Sequence, residues 1–244
     1  MKKLLLPLLA CVCVATAAPA WADARSDETL GRDMQTYYKK PDPVRAQSIM
    51  QRLITHPAYK QQRGKTIMFN YWGASALQKY PAQTMAWCDV VRKQDAQTQL
   101  YASGLFFLAQ TPDAPQCLQN LNMTEHQRQQ LLASQPVDPL QKDIASPLDL
   151  DLLWMHFFAT GNSQALHKIA GYVVANRAVF AQRPERPTQE DTRRLLVVGA
   201  ARWSLRSNVQ QDPQVRQILK RYAQNQGKAE RAWLEREVLQ PPAK

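Results

Sequence analysis

The sequence predicts an all-α fold built as an irregular stack of antiparallel helical hairpins, α-solenoid-like in form. Three observations predict it. Glycine is scarce, 8 residues in 244, while the helix formers Ala, Leu, Gln, Arg and Met are abundant and β-branched runs are few. Apolar residues recur at helical spacing in segment after segment. The segments meet at turn signals near Pro81, Pro112, Gly161 and Asp212, spaced 31, about 50 and about 50 residues apart, too uneven for a strict repeat array.

At residues 1–22, Lys2 and Lys3 precede an apolar run from Leu4 through Ala18 and the small-x-small site Ala20, Trp21, Ala22. This pattern reads as a secretory signal peptide, with a mature N-terminus at Asp23, residues 23–244 as one helical domain, and the periplasm as destination. Cys11 makes a poor lipoprotein site, because only about six apolar residues precede it. Pro7 interrupts the run, and no later stretch holds about 20 uninterrupted apolar residues, so no transmembrane segment is expected.

Taken in order, residues 23–40 read as a polar lead-in. Asp42 caps a helix with Pro43 at its first position and Val44, Ile49, Met50, Leu53 and Ile54 on its buried side. The next helix runs from about Lys65 to Lys79 with Phe69, Tyr71, Trp72 and Leu77. It breaks at Tyr80 and Pro81 before an arm carrying Met85, Trp87, Cys88, Val90 and Val91. Gln97 to Ala109 repeats the pattern, followed by a turn at Thr111, Pro112 and Asp113 and a short arm with Cys117, Leu118 and Leu121. Thr124 and Gln127 form a capping box for a brief helix to Ser134, and residues 135–146 are a Pro-containing connector.

Ser146, Pro147 and Asp149 then open the most apolar helix, Leu150 to Phe158, which Gly161 ends with a left-handed cap. Its return arm places Leu166, Ile169, Ala170, Val173 and Val174 on one stripe. Thr188 to Ser207 is a helix whose apolar face reads as Leu195, Leu196, Val198, Ala201 and Trp203. Asp212 and Pro213 cap an arm striped by Val215, Ile218, Leu219 and Tyr222, and beyond Gly227 a last helix holds Trp233, Leu234 and Val238.

The chain has 31 basic and 20 acidic residues, and removal of Lys2 and Lys3 with the leader leaves a net charge of +9. Outside the cytoplasm such a surface suits a protein or an anionic envelope component, such as lipid, lipopolysaccharide or peptidoglycan, rather than nucleic acid. From Gln182 onward there are 13 basic against 7 acidic residues, which makes Arg193, Arg202, Arg206, Arg216, Lys220 and Arg221 the candidate partner surface. Cys88 and Cys117 are the only cysteines outside the leader and fall on the second arms of consecutive hairpins, so a disulfide between them is expected.

No His-Glu-x-x-His, P-loop, Gly-x-Gly-x-x-Gly or Gly-x-Ser-x-Gly motif occurs. The nearest, Gly73-Ala74-Ser75-Ala76-Leu77, fails at its last position and falls inside a helix. His56, His126, His156 and His167 lack partners at ligand spacing, so no catalytic residue, cofactor or metal is expected. His156 reads as a hydrogen-bonded core histidine among Trp154, Phe157 and Phe158, Asp149 and Asp151 as helix N-terminal charges, and Trp72, Trp87, Trp154 and Trp203 as core anchors.

The segments FNYWGASALQKYP, LDLLWMHFFATGN and AARWSLRSNVQQDP resemble a family of exported bacterial α-helical proteins without an assigned activity, over about residues 35 to 225. The resemblance implies an exported helical protein and carries no catalytic residues. In general form the chain is also similar to tetratricopeptide arrays, without their period of about 34 residues or their small-residue signature. Two functions remain open: a periplasmic interaction or scaffold protein, and an envelope enzyme such as a glycan hydrolase using two carboxylates about 5 to 10 Å apart.

Overall fold

The computed structural model describes residues 28–180 and 188–240. The expected signal segment, the cut before Asp23 and Cys11 lie outside them. Of the described residues 81% are helical and none lies in a strand. Helix α1 is seen over residues 28–36, followed by α2 (Pro43–Thr55), α3 (Pro57–Gln61), α4 (Arg63–Lys79), α5 (Thr84–Arg92), α6 (Ala96–Ala109) and α7 (Ala114–Asn120). Then come α8 (Glu125–Ala133), α9 (Pro147–Thr160), α10 (Ser163–Ala175), α11 (Gln189–Gln211), α12 (Pro213–Gln224) and α13 (Lys228–Leu234), which continues as a π-helical turn, Glu235–Leu239.

The helix starts follow from side chains that satisfy the first orphan N–H groups. The Asp42 carboxylate accepts from Arg45 N at 2.8 Å, Asp95 from Thr98 N at 3.0 Å, and Asp212 from Gln214 N at 2.9 Å. Thr124 with Gln127 and Thr188 with Asp191 close full capping boxes. At α9 the Ser146 N–H and hydroxyl both donate to Asp149, at 2.8 and 2.7 Å, and the Lys142 ammonium sits 2.6 Å from the same carboxylate. Burial pushes the Asp149 carboxyl up, but these donors outweigh it and hold it below the usual aspartate range. Asp149 is thus a capping residue, while burial raises Asp151.

Helix α4 is the axis of the molecule, packed most extensively against α6 and α9. The Asn70 amide donates to Tyr101 O at 2.8 Å and, two turns on, that of Gln78 donates to Leu108 O at 3.3 Å, so α4 and α6 run parallel. Ser75 meets His156 while Tyr71 feels the charge of Asp149, so α9 runs the same way on the other flank. Trp154 Nε1–H donates to Ser204 Oγ at 3.1 Å and Phe158 shares a cleft with Asn208, which extends the parallel layer to α11. Gly73 permits the close approach, because a Cβ there would crowd Leu105 Cγ at 3.2 Å and Met50 Sδ at 3.3 Å.

The layer order is therefore α6, α4, α9, α11, with α7, α10 and α12 packed as return arms on the helices that precede them. This departs from chain order: after α8 the connector carries the chain back across α4, pinned by the Tyr71 hydroxyl on Val137 O (2.7 Å) and the Lys168 ammonium on Leu140 O (2.8 Å) and Lys142 O (2.6 Å). The expected α4–α5 hairpin also differs, because α5 turns away at Pro81–Gln83 to pack on α6, α7 and α2. Nor is the segment before α2 a mere polar lead-in: Leu30, Met34, Tyr37 and Tyr38 lie at i, i+4, i+7 and i+8 and are buried in the core.

Cys88 of α5 and Cys117 of α7 stand side by side, sulfurs 2.13 Å and Cα atoms 5.7 Å apart. That geometry is the disulfide expected from their places on adjacent arms.

Candidate functional site

Burial along α11 selects the site. The buried stripe is Val197, Val198, Ala201, Leu205 and Val209, turned toward α9, α10 and α12. Leu196 and Trp203, expected on the apolar core face, instead point to solvent with 65% and 71% of their surface exposed. The correction has a simple geometric cause. Seven residues make almost two full turns, so Leu196 and Trp203 share one line along the helix, away from the Val198–Ala201–Leu205 stripe. Trp72, Trp87 and Trp154 are the buried anchors expected.

Between the two exposed side chains sits Gly199, where a Cβ would meet nothing within 4 Å. The three form a notch two helical turns long with an apolar wall at each end. Arg193 and Arg206 flank it, about 20 Å apart along the axis.

The six basic residues expected to form one partner surface are not one patch. Arg202 faces away from the notch, 3.1 Å from Glu237 and with its guanidinium 4.5 Å above the Phe180 ring. Arg216 donates to the carbonyls of Val209 and Leu239, both at 3.3 Å, and so ties α12 to the terminal turn. Arg193 pairs with Glu190 at 2.8 Å, but both side chains are well exposed and the pair is weak. Arg206, Lys220 and Arg221 make no ion pair among the described residues. Arg221 stands near His167, whose pKa is lowered by burial and by that charge, and whose ring stacks on Tyr222 at 5.0 Å.

A pair of carboxylates lines a cleft of about 570 Å³ between residues 28–39 and the end of α11. It holds Glu28 and Asp212, yet Glu28 lies 2.7 Å from Arg32 and Asp212 lies 2.8 Å from Lys39. Burial raises the Asp212 carboxyl, but Lys39, the Tyr38 hydroxyl and the Gln214 N–H together hold it below the usual range. Asp212 is thus held ionised by its partners, the opposite of a raised general acid, and Glu28 makes an exposed pair with Arg32. Among the described residues no group of three or more His, Cys, Asp or Glu is arranged to hold a metal ion, and no helix is long and apolar enough to cross a membrane.

His156 is hydrogen-bonded as expected, but through one ring nitrogen only. It is half-buried, its Nδ1 is 3.4 Å from Ser75 Oγ, and its Nε2 is buried without a hydrogen-bond partner among the described residues. Ser75 lies in mid-helix, where neighbouring N–H groups are engaged in helical bonds and supply no oxyanion site. Compared with protein-family models, with curated proteins and with solved structures, the chain matches none.

Proposed function

We propose that this chain is an exported, periplasmic interaction protein of the helical-stack kind that docks an acidic helical segment of a partner protein on the outer face of α11. The observation that carries the reading is the Leu196–Gly199–Trp203 notch: two large apolar side chains held in water, separated by a gap that fits one side chain, and flanked by Arg193 and Arg206. Exposed aromatic and arginine groups around an apolar notch are the usual anchors of helix-in-groove recognition, and an acidic partner matches their charge. The Cys88–Cys117 pair supports an oxidising compartment, where such bonds persist. Membership of the exported helical family belongs to the same proposal.

The glycan-hydrolase alternative gains nothing from the Glu28 and Asp212 cleft, whose carboxylates are already paired. To test the docking reading, a photo-crosslinking amino acid is placed at position 203 in cells, followed by fractionation. The expected result is a salt-sensitive protein adduct in the periplasmic fraction, lost when Leu196→Asp is added. Absence of a protein adduct, or adducts to lipid or glycan alone, would overturn the reading.

A further inference from the structure

The outer face of α11 is its own complement. Leu196 and Trp203 lie equally far, about 5 Å along the axis, on either side of the point between Gly199 and Ala200. A second α11 laid antiparallel across that point sets Trp203 of each copy on Leu196 of the other, while the small residues Gly199 and Ala200 let the two backbones approach. Further out along the same line Thr192 comes opposite Ser207 of the other copy, and Gln189 opposite Gln210. Apolar meets apolar at the centre, and polar meets polar at the ends.

Charge agrees with this register. Of the four arginines of α11, Arg193 is held by Glu190, Arg194 by the Asn176 amide oxygen and Arg202 by Glu237, which leaves Arg206. Asp191 closes the capping box through Oδ2, and its other oxygen accepts no hydrogen bond among the described residues. Helical periodicity puts Arg206 and Asp191 on one flank of the face, near its opposite ends. The antiparallel crossing therefore brings Asp191 of each copy within a turn of Arg206 of the other, whereas a parallel one would set Arg206 against Arg206.

We propose that two copies of this chain associate through a twofold antiparallel crossing of α11, with Trp203 of each copy seated in the other's notch beside Leu196. The pairing rests on the reading of this face as a docking surface and adds its regulation: a second copy covers the notch until the acidic helix displaces it. A single helix crossing buries well below the total of about 1,200 Å² typical of stable complexes, so the pair is weak, with a dissociation constant on the order of 100 μM.

The test sediments the purified, disulfide-intact protein from about 5 to 500 μM, and oxidises Gly199→Cys and Gln210→Cys variants gently at the upper concentration. In the pair the two positions 199 straddle the twofold axis within disulfide reach, while the two positions 210 lie about 30 Å apart. The Cys88–Cys117 bond is fully buried and takes no part. The expected result is a mass that rises toward twice that of the chain, crosslinking at position 199 at least about tenfold faster than at 210, and no association in Trp203→Asp. Arg206→Glu should weaken the pair about fivefold. A parent that stays monomeric throughout, crosslinking as fast at 210 as at 199, or association unchanged in Trp203→Asp or Arg206→Glu would each overturn the pairing. None of these measurements involves the acidic partner, so its docking fails or holds separately: a photo-adduct at position 203 of twice the chain mass is the pair, and a protein adduct of any other mass is the partner.

Discussion

Helices α4 and α11 are the two longest in the described structure, and neither separates polar from apolar residues into opposite faces. Their fates differ. In α4 a continuous run from Asn70 to Leu77 is buried, whereas α11 buries one stripe and leaves Leu196 and Trp203 in water. The difference lies in position within the layer. α4 is covered on both flanks by α6 and α9 and elsewhere by α2 and α3, and it carries the small residues Gly73, Ala74, Ser75 and Ala76 that let those neighbours approach. Among the described residues α11 closes the layer and keeps one face without a helix against it, which leaves its large apolar residues there exposed.

The comparison breaks most readily at its two tryptophans. Trp72→Ala should cost about 3 to 5 kcal/mol in urea unfolding, because it empties the centre of the core, while Trp203→Ala should stay within about 0.5 kcal/mol. Trp72→Phe should cost less than Trp72→Ala, since Trp72 Nε1 has no hydrogen-bond partner among the described residues to lose. Equal losses at positions 72 and 203 would erase the distinction between centre and edge.

Next in size is the Cys88–Cys117 bond, which closes a loop of sequence separation 29 in the half of the molecule away from α11. Reduction, or Cys88→Ser with Cys117→Ser, should lower stability by about 3.5 kcal/mol in the chain-entropy account, read as a fall in the urea midpoint. The spectral environment of Trp203 should not change before global unfolding.

Acid should then act through α9. Asp149 has a folded-state pKa below its ordinary value of 3.8, so its contribution is present above that value and is lost as pH falls through the folded pKa. Stability measured from pH 5 down to about pH 2 should therefore decline, and more steeply in the parent than in Asp149→Asn. A parent and variant with identical acid slopes would show that the capping box does not hold the charge.

The smallest effect is expected at the end of α6. Gln110→Gly should raise stability by about 0.5 to 1 kcal/mol, because glycine enters the left-handed region without the steric cost that glutamine bears. A decrease would mean that the Gln110 side chain contributes contacts outweighing that cost.

Local chemistry made much of this fold legible in advance. Asp42 with Pro43, the Thr124–Gln127 box, Ser146 with Asp149, and Gly161 at φ 73° start or stop helices where their side chains and conformations require. The Cys88–Cys117 pairing was legible too, since α5 and α7 pack directly on each other. What escaped was long-range order. Nothing local in residues 135–146 says that the connector crosses back to α4, so the sequence does not reveal that α9 packs beside α4. Trp203 is a different case: the residue type predicts burial, but helical periodicity sets it and Leu196 off the Val198–Ala201–Leu205 stripe. Of the six basic residues, the pairing of Arg202 with Glu237 and the tie of Arg216 to Leu239 depend on where the terminal turn folds, which charge counting cannot see. The Leu196–Trp203 spacing of seven was a visible signal, had it been separated from the stripe beside it.

The most direct measurement of the edge position is ¹⁹F NMR of protein labelled with 5-fluorotryptophan, with each resonance assigned by Trp→Phe substitution and a soluble gadolinium chelate added. The account predicts strong broadening of Trp203, exposed at 71%, and little effect on Trp72, Trp87 and Trp154, none of which exceeds 4%. A Trp203 resonance as protected as those three would contradict it.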